Sequence, residues 1–154
     1  MNRWGMGTTL YRGTILYALL AMLYDAVLVA GFCDRLVPDR LAFAVGGTLL
    51  VLGVVVYALG VFAVYAAVDA RQLATRGVYA VVRHPLYAAW VWLLVPGFAL
   101  LQGTLLTLFA PVVAAILYKL CIPHEEAHLR REFGATYDRY RERVGGIVPR
   151  LCRP

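Results

Sequence analysis

Residues Pro85–Tyr118 read PLYAAWVWLLVPGFALLQGTLLTLFAPVVAAILY, thirty-four residues without a charged side chain. As one straight helix this run would be about 51 Å long, against a bilayer hydrocarbon core of about 30 Å. Its most polar point is Gln102-Gly103, near the middle. The reading is therefore two membrane helices, about 86–101 and 104–122, closed into a tight helical hairpin. Pro96 and Pro111 should bend them.

Upstream, Leu41–Val68 is a second charge-free run, of 28 residues. It reaches about 42 Å, enough to span with tilt. Within it Gly46, Gly53 and Gly60 recur every seven residues. They put small residues on one face, where another helix backbone can approach closely. The first apolar run, Gly13–Cys33, is interrupted by Asp25 and follows Arg3 and Arg12. A secretory signal would have those flanks, but the Asp speaks against cleavage. Bulky Phe32 before Cys33 makes a poor lipoprotein site. The segment 13–33 is thus read as the first span, with Asp25 either a functional intramembrane group or a side chain snorkelling to the interface.

The whole chain agrees with these local readings. Of its 154 residues 62% are hydrophobic and 16% charged, with a mean hydropathy of +0.70. Soluble domains carry roughly 25% charged residues, so an ordinary soluble globule is excluded, as is a disordered chain. The length suggests one domain over 1–154, without a separate soluble catalytic part. The expected architecture is all-α: a polytopic membrane protein of about four transmembrane helices, then a cytosolic C-terminal amphipathic helix over part of the tail 123–154.

Fifteen Lys and Arg face nine Asp and Glu, a net charge of +6. Thirteen of the fifteen lie in the N-terminal flank, the 69–85 loop and the tail from Lys119 onward. That asymmetry places both termini and the loop on the cytoplasmic side of a prokaryotic inner membrane, or of the endoplasmic reticulum in a eukaryote. The positive charge is read as membrane topology rather than as a nucleic-acid partner, because no nucleic-acid-binding motif accompanies it. Cys33, Cys121 and Cys152 are odd in number and form no CxxC pair, so neither a disulfide framework nor a structural zinc site is suggested.

Two polar segments carry the chemistry. The first is Gly77-Val78-Tyr79-Ala80-Val81-Val82-Arg83-His84-Pro85-Leu86-Tyr87. Arg83 can hold a carboxylate bidentately, His84 can move a proton near neutral pH, and Pro85 suits the first turn of a helix. The same residues also read simply as an anchored helix start. The second is His124-Glu125-Glu126-Ala127-His128, where two adjacent carboxylates need positive neighbours. Pro123 suits a helix start, and acids in a first turn complement the helix dipole. The functional reading is an acidic wall for a cationic ligand. The segment also spells H-E-x-x-H, in which His124 and His128 would bind zinc with Glu125 as base. A third ligand is needed, and His84 is the one other histidine. Beyond it Leu129, Phe133, Tyr137, Tyr140 and Val144 are spaced 4, 4, 3 and 4, the stripe of a helix lying on the membrane. A break is expected at Gly134 and an end at Gly145-Gly146.

Together these segments resemble the integral-membrane methyltransferases of the isoprenylcysteine carboxyl methyltransferase and phospholipid N-methyltransferase type. The family's loop reads approximately T-x-G-x-Y-x-x-V-R-H-P-x-Y-x-G. Thr75, Gly77, Tyr79, Val82, Arg83, His84, Pro85 and Tyr87 fit it, with Ala89 in place of the last Gly. The family's second block, E-E-x-x-L-x-x-x-F-G-x-x-Y-x-x-Y-x-x-x-V, is matched by Glu125, Glu126, Leu129, Phe133, Gly134, Tyr137, Tyr140 and Val144. The resemblance covers about 75–150.

It implies S-adenosylmethionine as methyl donor, bound at the cytosolic face between loop and tail. The expected cofactor-binding residues are Gly77, Tyr79, Arg83, His84, Pro85, Tyr87, Glu125 and Glu126 within the two motifs, with Gln72 just ahead of them. The expected catalytic group is His84, Glu126 and Arg131; Arg130 or Arg131 would hold an anionic acceptor, or either is simply a solvated helix residue. No metal is implied. The acceptor class is a lipid or lipid-like molecule: an isoprenylcysteine carboxylate, a phospholipid amine, a small thiol or a lipidic phenol. No G-x-G-x-x-G follows a strand, so a Rossmann methyltransferase is not indicated. The alternatives are a membrane zinc metalloprotease, a non-enzymatic membrane assembly protein, and a sterol-type reductase with a similar Arg-His-Pro loop. The glycine stripe permits helix association within or between chains.

Overall fold

The structure is a computed structural model, and it describes residues 7–28 and 36–150. Cys33 and Cys152 lie outside those residues, as does the side chain of Asp25. Among the described residues four long helices and one short one carry the fold. Helix α1 is Gly7–Leu28. Helix α2 runs from Asp39 to Asp69 with a wide π turn at Ala42–Gly46. Helix α3 runs from Pro85 to Gln102 with a second π turn at Trp90–Leu94, and α4 from Leu105 to Phe133. The short α5 is Ala135–Arg143. No strand is formed among the described residues; Val82 and Gly145 make one isolated parallel bridge. Helices α2, α3 and α4 are each long and apolar enough to cross a membrane. Their outward side chains, such as Phe43, Val51, Phe62 and Leu120, are largely exposed, as lipid-facing residues must be.

The glycine stripe of α2 meets α3. A Cβ on Gly46 would lie 2.8 Å from the Gly97 carbonyl oxygen, and one on Gly97 would lie 2.9 Å from that of Gly46. Gly53 faces Leu93 and Leu94, and Gly60 faces Pro85 and Leu86. The heptad of glycines is thus a seam along which two antiparallel helices pack, reaching backbone contact at Gly46 and Gly97.

The hairpin expected from the 34-residue run is present. Gly103 caps α3 with a left-handed φ of 68°, and the Thr104 side chain accepts from the Thr107 N–H to start α4. Pro85 begins α3 as its first residue. Pro96 follows the π turn of α3, and Pro111 follows an irregular step at Phe109 in α4. Pro123 differs from its expected place: it lies inside α4, which continues to Phe133 instead of ending near 122. Gly134, with φ 52°, ends α4 and turns the chain into α5.

Helix α1 lies antiparallel to α4. Leu10 clusters with Cys121, Gly13 faces Leu117, and the Tyr17 hydroxyl donates to the Leu106 carbonyl at 2.9 Å. The start of α1, the end of α2, the start of α3 and the end of α4 therefore share one end of the bundle. Ile147, from the segment after α5, packs into both apolar clusters, one of Val91, Val95, Ala110 and Ala114 and the other of Leu10, Tyr87 and Cys121. The tail is thereby pinned to the bundle.

Candidate functional site

Arg83 and His84 sit in the last residues of the 70–84 loop, where backbone pairing leaves little freedom. The Arg83 N–H donates to the Gly145 carbonyl at 2.7 Å, and the His84 N–H to that of Gly146 at 3.1 Å. A side chain on Gly145 would run into the Val148 backbone carbonyl, so a glycine is needed there for this approach. The loop is held from the other side by Tyr140, whose hydroxyl donates to the Tyr79 carbonyl at 2.6 Å.

The Arg83 guanidinium then bridges three elements. One terminal nitrogen donates to the Arg141 carbonyl at 3.1 Å and to the Val144 carbonyl. The other meets Glu126 Oε1 at 2.5 Å. Glu126 also receives His84 Nε2 at 3.5 Å and Arg141 Nε at 3.3 Å, so both its oxygens are occupied. Its neighbour Glu125 is held more loosely. The Tyr87 hydroxyl donates to Glu125 Oε2, and His84 Nδ1 lies 3.9 Å from Oε1. The side chains of Arg83 and His84 are 9% and 4% exposed, and that of Glu125 is 30% exposed. Around His84 stand the rings of Tyr87 and Tyr118, with centroids at 5.9 and 6.4 Å. Tyr11 extends this aromatic wall to Tyr57, Tyr87 and Trp90.

Tyr137 completes the centre. It is buried on α5, close enough to Glu126 and Arg83 for both to act on it electrostatically, yet it makes a hydrogen bond of ordinary geometry with neither. Burial pushes its hydroxyl up to about 12, with Glu126 adding to the rise and Arg83 opposing it. Burial likewise raises Tyr79 and Tyr140 above the ordinary phenol range. These phenols are therefore neutral O–H donors at physiological pH.

Of the residues expected to form the site, the fold brings together Tyr79, Arg83, His84, Pro85, Tyr87, Glu125 and Glu126. Gln72 stands apart: it is exposed, and its backbone N–H donates to Ala67. Gly77 is also exposed and serves the turn, with φ 62° and open space where a Cβ would sit. Arg131 is exposed and its Nε donates to the Ala127 carbonyl of its own helix at 3.3 Å. His124 and His128 are exposed, His128 paired with Glu132 at 3.4 Å. Among the described residues no three His, Cys, Asp or Glu side chains converge as a metal site would need.

Sequence reasoning missed Tyr137, Arg141 and the Gly145-Gly146 carbonyls. The Tyr137–Tyr140 stripe was legible as a helix face, but that face packs on the loop instead of lying on a membrane. Arg141 stood only among the basic residues of the tail that set the orientation.

The fold and site define a helical membrane protein with an Arg–His–Glu–Glu centre at one end of its bundle. Residues 40–131 match the model of the isoprenylcysteine carboxyl methyltransferase (ICMT) family, well over half of the chain, and the chain belongs to that family. It is similar to a probable protein-S-isoprenylcysteine O-methyltransferase of Oryza sativa subsp. indica, 33% identical over 81 residues, which are 53% of this chain and 42% of the relative. The protein-S-isoprenylcysteine O-methyltransferase of Schizosaccharomyces pombe is 38% identical over 79 residues, 50% of this chain and 33% of the relative. Protein-S-isoprenylcysteine O-methyltransferase B of Arabidopsis thaliana is 33% identical over 79 residues, covering 51% and 40%. The match thus spans less than half the length of these relatives. No solved structure matches the chain.

Proposed function

We propose that the chain is an S-adenosylmethionine-dependent methyltransferase acting on a lipid or lipid-like acceptor at the cytosolic membrane face. The observation that carries this reading is the junction of Arg83-His84 with Glu125-Glu126 inside an aromatic wall, closed by the tail. The residues fit such a donor. Arg83 Nε and the Tyr137 hydroxyl are buried without partners, as a missing acceptor group would leave them. Glu125 keeps an accessible carboxylate for a cation. Tyr79 and Tyr87 offer ring faces and edges for a heteroaromatic group. The donor, when bound, supplies an electrophilic methyl group on sulfur. The chain's own part is to hold both molecules and exclude water, and such positioning can supply much of the rate.

An isoprenylcysteine carboxylate is the favoured acceptor, from the names of the relatives, and a carboxylate needs no base. A phospholipid amine would have to lose a proton, and His84 is then the base. An apolar cavity of about 310 Å³, lined by Ile15, Leu19, Leu50, Leu94 and Phe98, supports a lipid-like acceptor. Trp90 borders both that cavity and the aromatic wall. The basic flanks favour a cytosolic placement of the site and of both termini.

Calorimetry of the purified protein in nanodiscs with S-adenosylhomocysteine tests the donor. Saturable binding that Glu126→Ala weakens at least tenfold is expected. No binding, with Glu126→Ala behaving as wild type, would sink the proposal. Labelled donor offered with N-acetyl-S-farnesylcysteine or with phosphatidylethanolamine separates the two acceptors by which extract carries the label.

A further inference from the structure

Among the described residues three buried side-chain polar atoms lack a hydrogen-bond partner: Arg83 Nε, Trp90 Nε1 and the Tyr137 hydroxyl. Native structures keep such orphans few, and each one calls for a partner. Two of the three belong to neighbouring side chains in one spot. The terminal nitrogens of Arg83 are taken by Glu126 and by the Arg141 and Val144 carbonyls, which leaves Nε–H facing elsewhere. Tyr137 is 1% exposed, its ring fixed against Tyr140 at 6.4 Å between centroids. The oxygens of Glu126 are both engaged already. The Tyr137 hydroxyl lies near both Arg83 and Glu126, yet neither it nor Arg83 Nε makes a hydrogen bond of ordinary geometry within the protein.

We propose that the Tyr137 hydroxyl and the Arg83 Nε–H together form a carboxylate-binding site, with Tyr137 as a ligand-binding residue. The ligand chemistry follows from the donor count. Two donors beside a guanidinium suit an anionic group with two oxygens, and the flanking Glu125 suits a cation on the same molecule. Two molecules in the methyl-transfer reading, on which this inference rests, carry such a group: the amino-acid end of the donor and a prenylcysteine acceptor.

The test is Tyr137→Phe, studied by calorimetry in nanodiscs. Because the hydroxyl makes no hydrogen bond of ordinary geometry within the protein, the variant should melt close to the wild-type temperature. Its affinity for S-adenosylhomocysteine should fall about tenfold or more, the loss of one hydrogen bond to a charged group. Affinity for 5′-methylthioadenosine, which lacks the amino-acid end, should stay within twofold. That pattern assigns the site to the donor. The same selective loss for N-acetyl-S-farnesylcysteine, but not for its amide, assigns it to the acceptor. Equal losses for carboxylate and carboxylate-free ligands, or a lower melting temperature with unchanged binding, would overturn the carboxylate site while leaving the methyltransferase reading intact. A wild-type protein that binds neither S-adenosylhomocysteine nor the farnesylcysteine would overturn both.

Discussion

Arg83→Lys tests how the site is built, because it keeps the charge and removes the fork. In the native arrangement one guanidinium reaches Glu126 and two tail carbonyls at once. An ammonium is a single point and cannot span both directions, so lysine keeps the ion pair and loses about two charge-assisted bonds. Such bonds contribute roughly 1.5–3 kcal/mol each, and the side chain is 9% exposed, so solvent screens them little. The Arg141 carbonyl lies in an exposed setting, which favours the lower half of that range. The expected cost is about 3–4.5 kcal/mol, or roughly 150- to 2,000-fold in the opening equilibrium of the tail. What remains are the bonds from Arg83 and His84 N–H to Gly145 and Gly146, and that from Tyr140 to Tyr79. Hydrogen exchange reads this directly, since the two loop amides exchange only when the tail lifts. In nanodiscs the amides of residues 83 and 84 should exchange faster by that factor, up to the limit set by global unfolding. The exposed Arg130→Lys, on the Asp138 pair, should leave them within twofold. Exchange in Arg83→Lys within threefold of wild type would refute the latch.

Three other outcomes follow from the same geometry. Gly97→Leu should lower the thermal midpoint markedly, because its Cβ meets the Gly46 carbonyl oxygen at 2.9 Å and overpacking costs about 1–3 kcal/mol or more. Gly47→Ala, with open space around it, should be neutral or stabilising by up to about 1 kcal/mol, and a matching loss at Gly47 would discredit the seam. Glu125→Gln should weaken donor binding in calorimetry with little change in melting temperature, whereas Glu126→Gln should damage both, since it strips Arg83, His84 and Arg141 of a shared partner. The double variant His124→Ala, His128→Ala should retain methyl transfer, with no stoichiometric zinc in the wild type by elemental analysis; loss of activity together with zinc would restore the protease alternative.

The local features were legible from sequence because each rests on one residue's backbone chemistry. Gly103 and Gly134 take positive φ, Pro85 opens a helix, and three glycines seven apart make a seam. The features that escaped depend on residues far apart in the chain. Pro123 looked like a boundary, yet α4 runs through it. A proline inside a helix frees the carbonyl four residues earlier, here Lys119, and at the charged end of the apolar run water can satisfy that group. The period of Tyr137 and Tyr140 gives a helix face but not its partner, and the turn at Gly134 directs that face onto residues 79–84. Arg141 takes part for the same reason: its pairing with Glu126 exists only after the chain has folded back.

That fold-back explains how so apolar a chain assembles a charged centre. Glu126 extends from the end of a helix, and Arg83 stands at the end of a loop. Left facing each other at the membrane edge, they would be an exposed pair contributing about 0–1 kcal/mol. The tail changes the setting. Ile147 enters the apolar clusters of the bundle, and Gly145 and Gly146 take the loop's two amides. The same segment buries the guanidinium and supplies two of its acceptors. Burial strengthens the Arg83–Glu126 attraction, and that attraction in turn holds the tail which causes the burial. Loop, acid pair and tail therefore form one cooperative unit. If the proposed carboxylate site is correct, its two donors are assembled only with the tail docked, and ligand affinity and tail docking are then two readings of a single equilibrium.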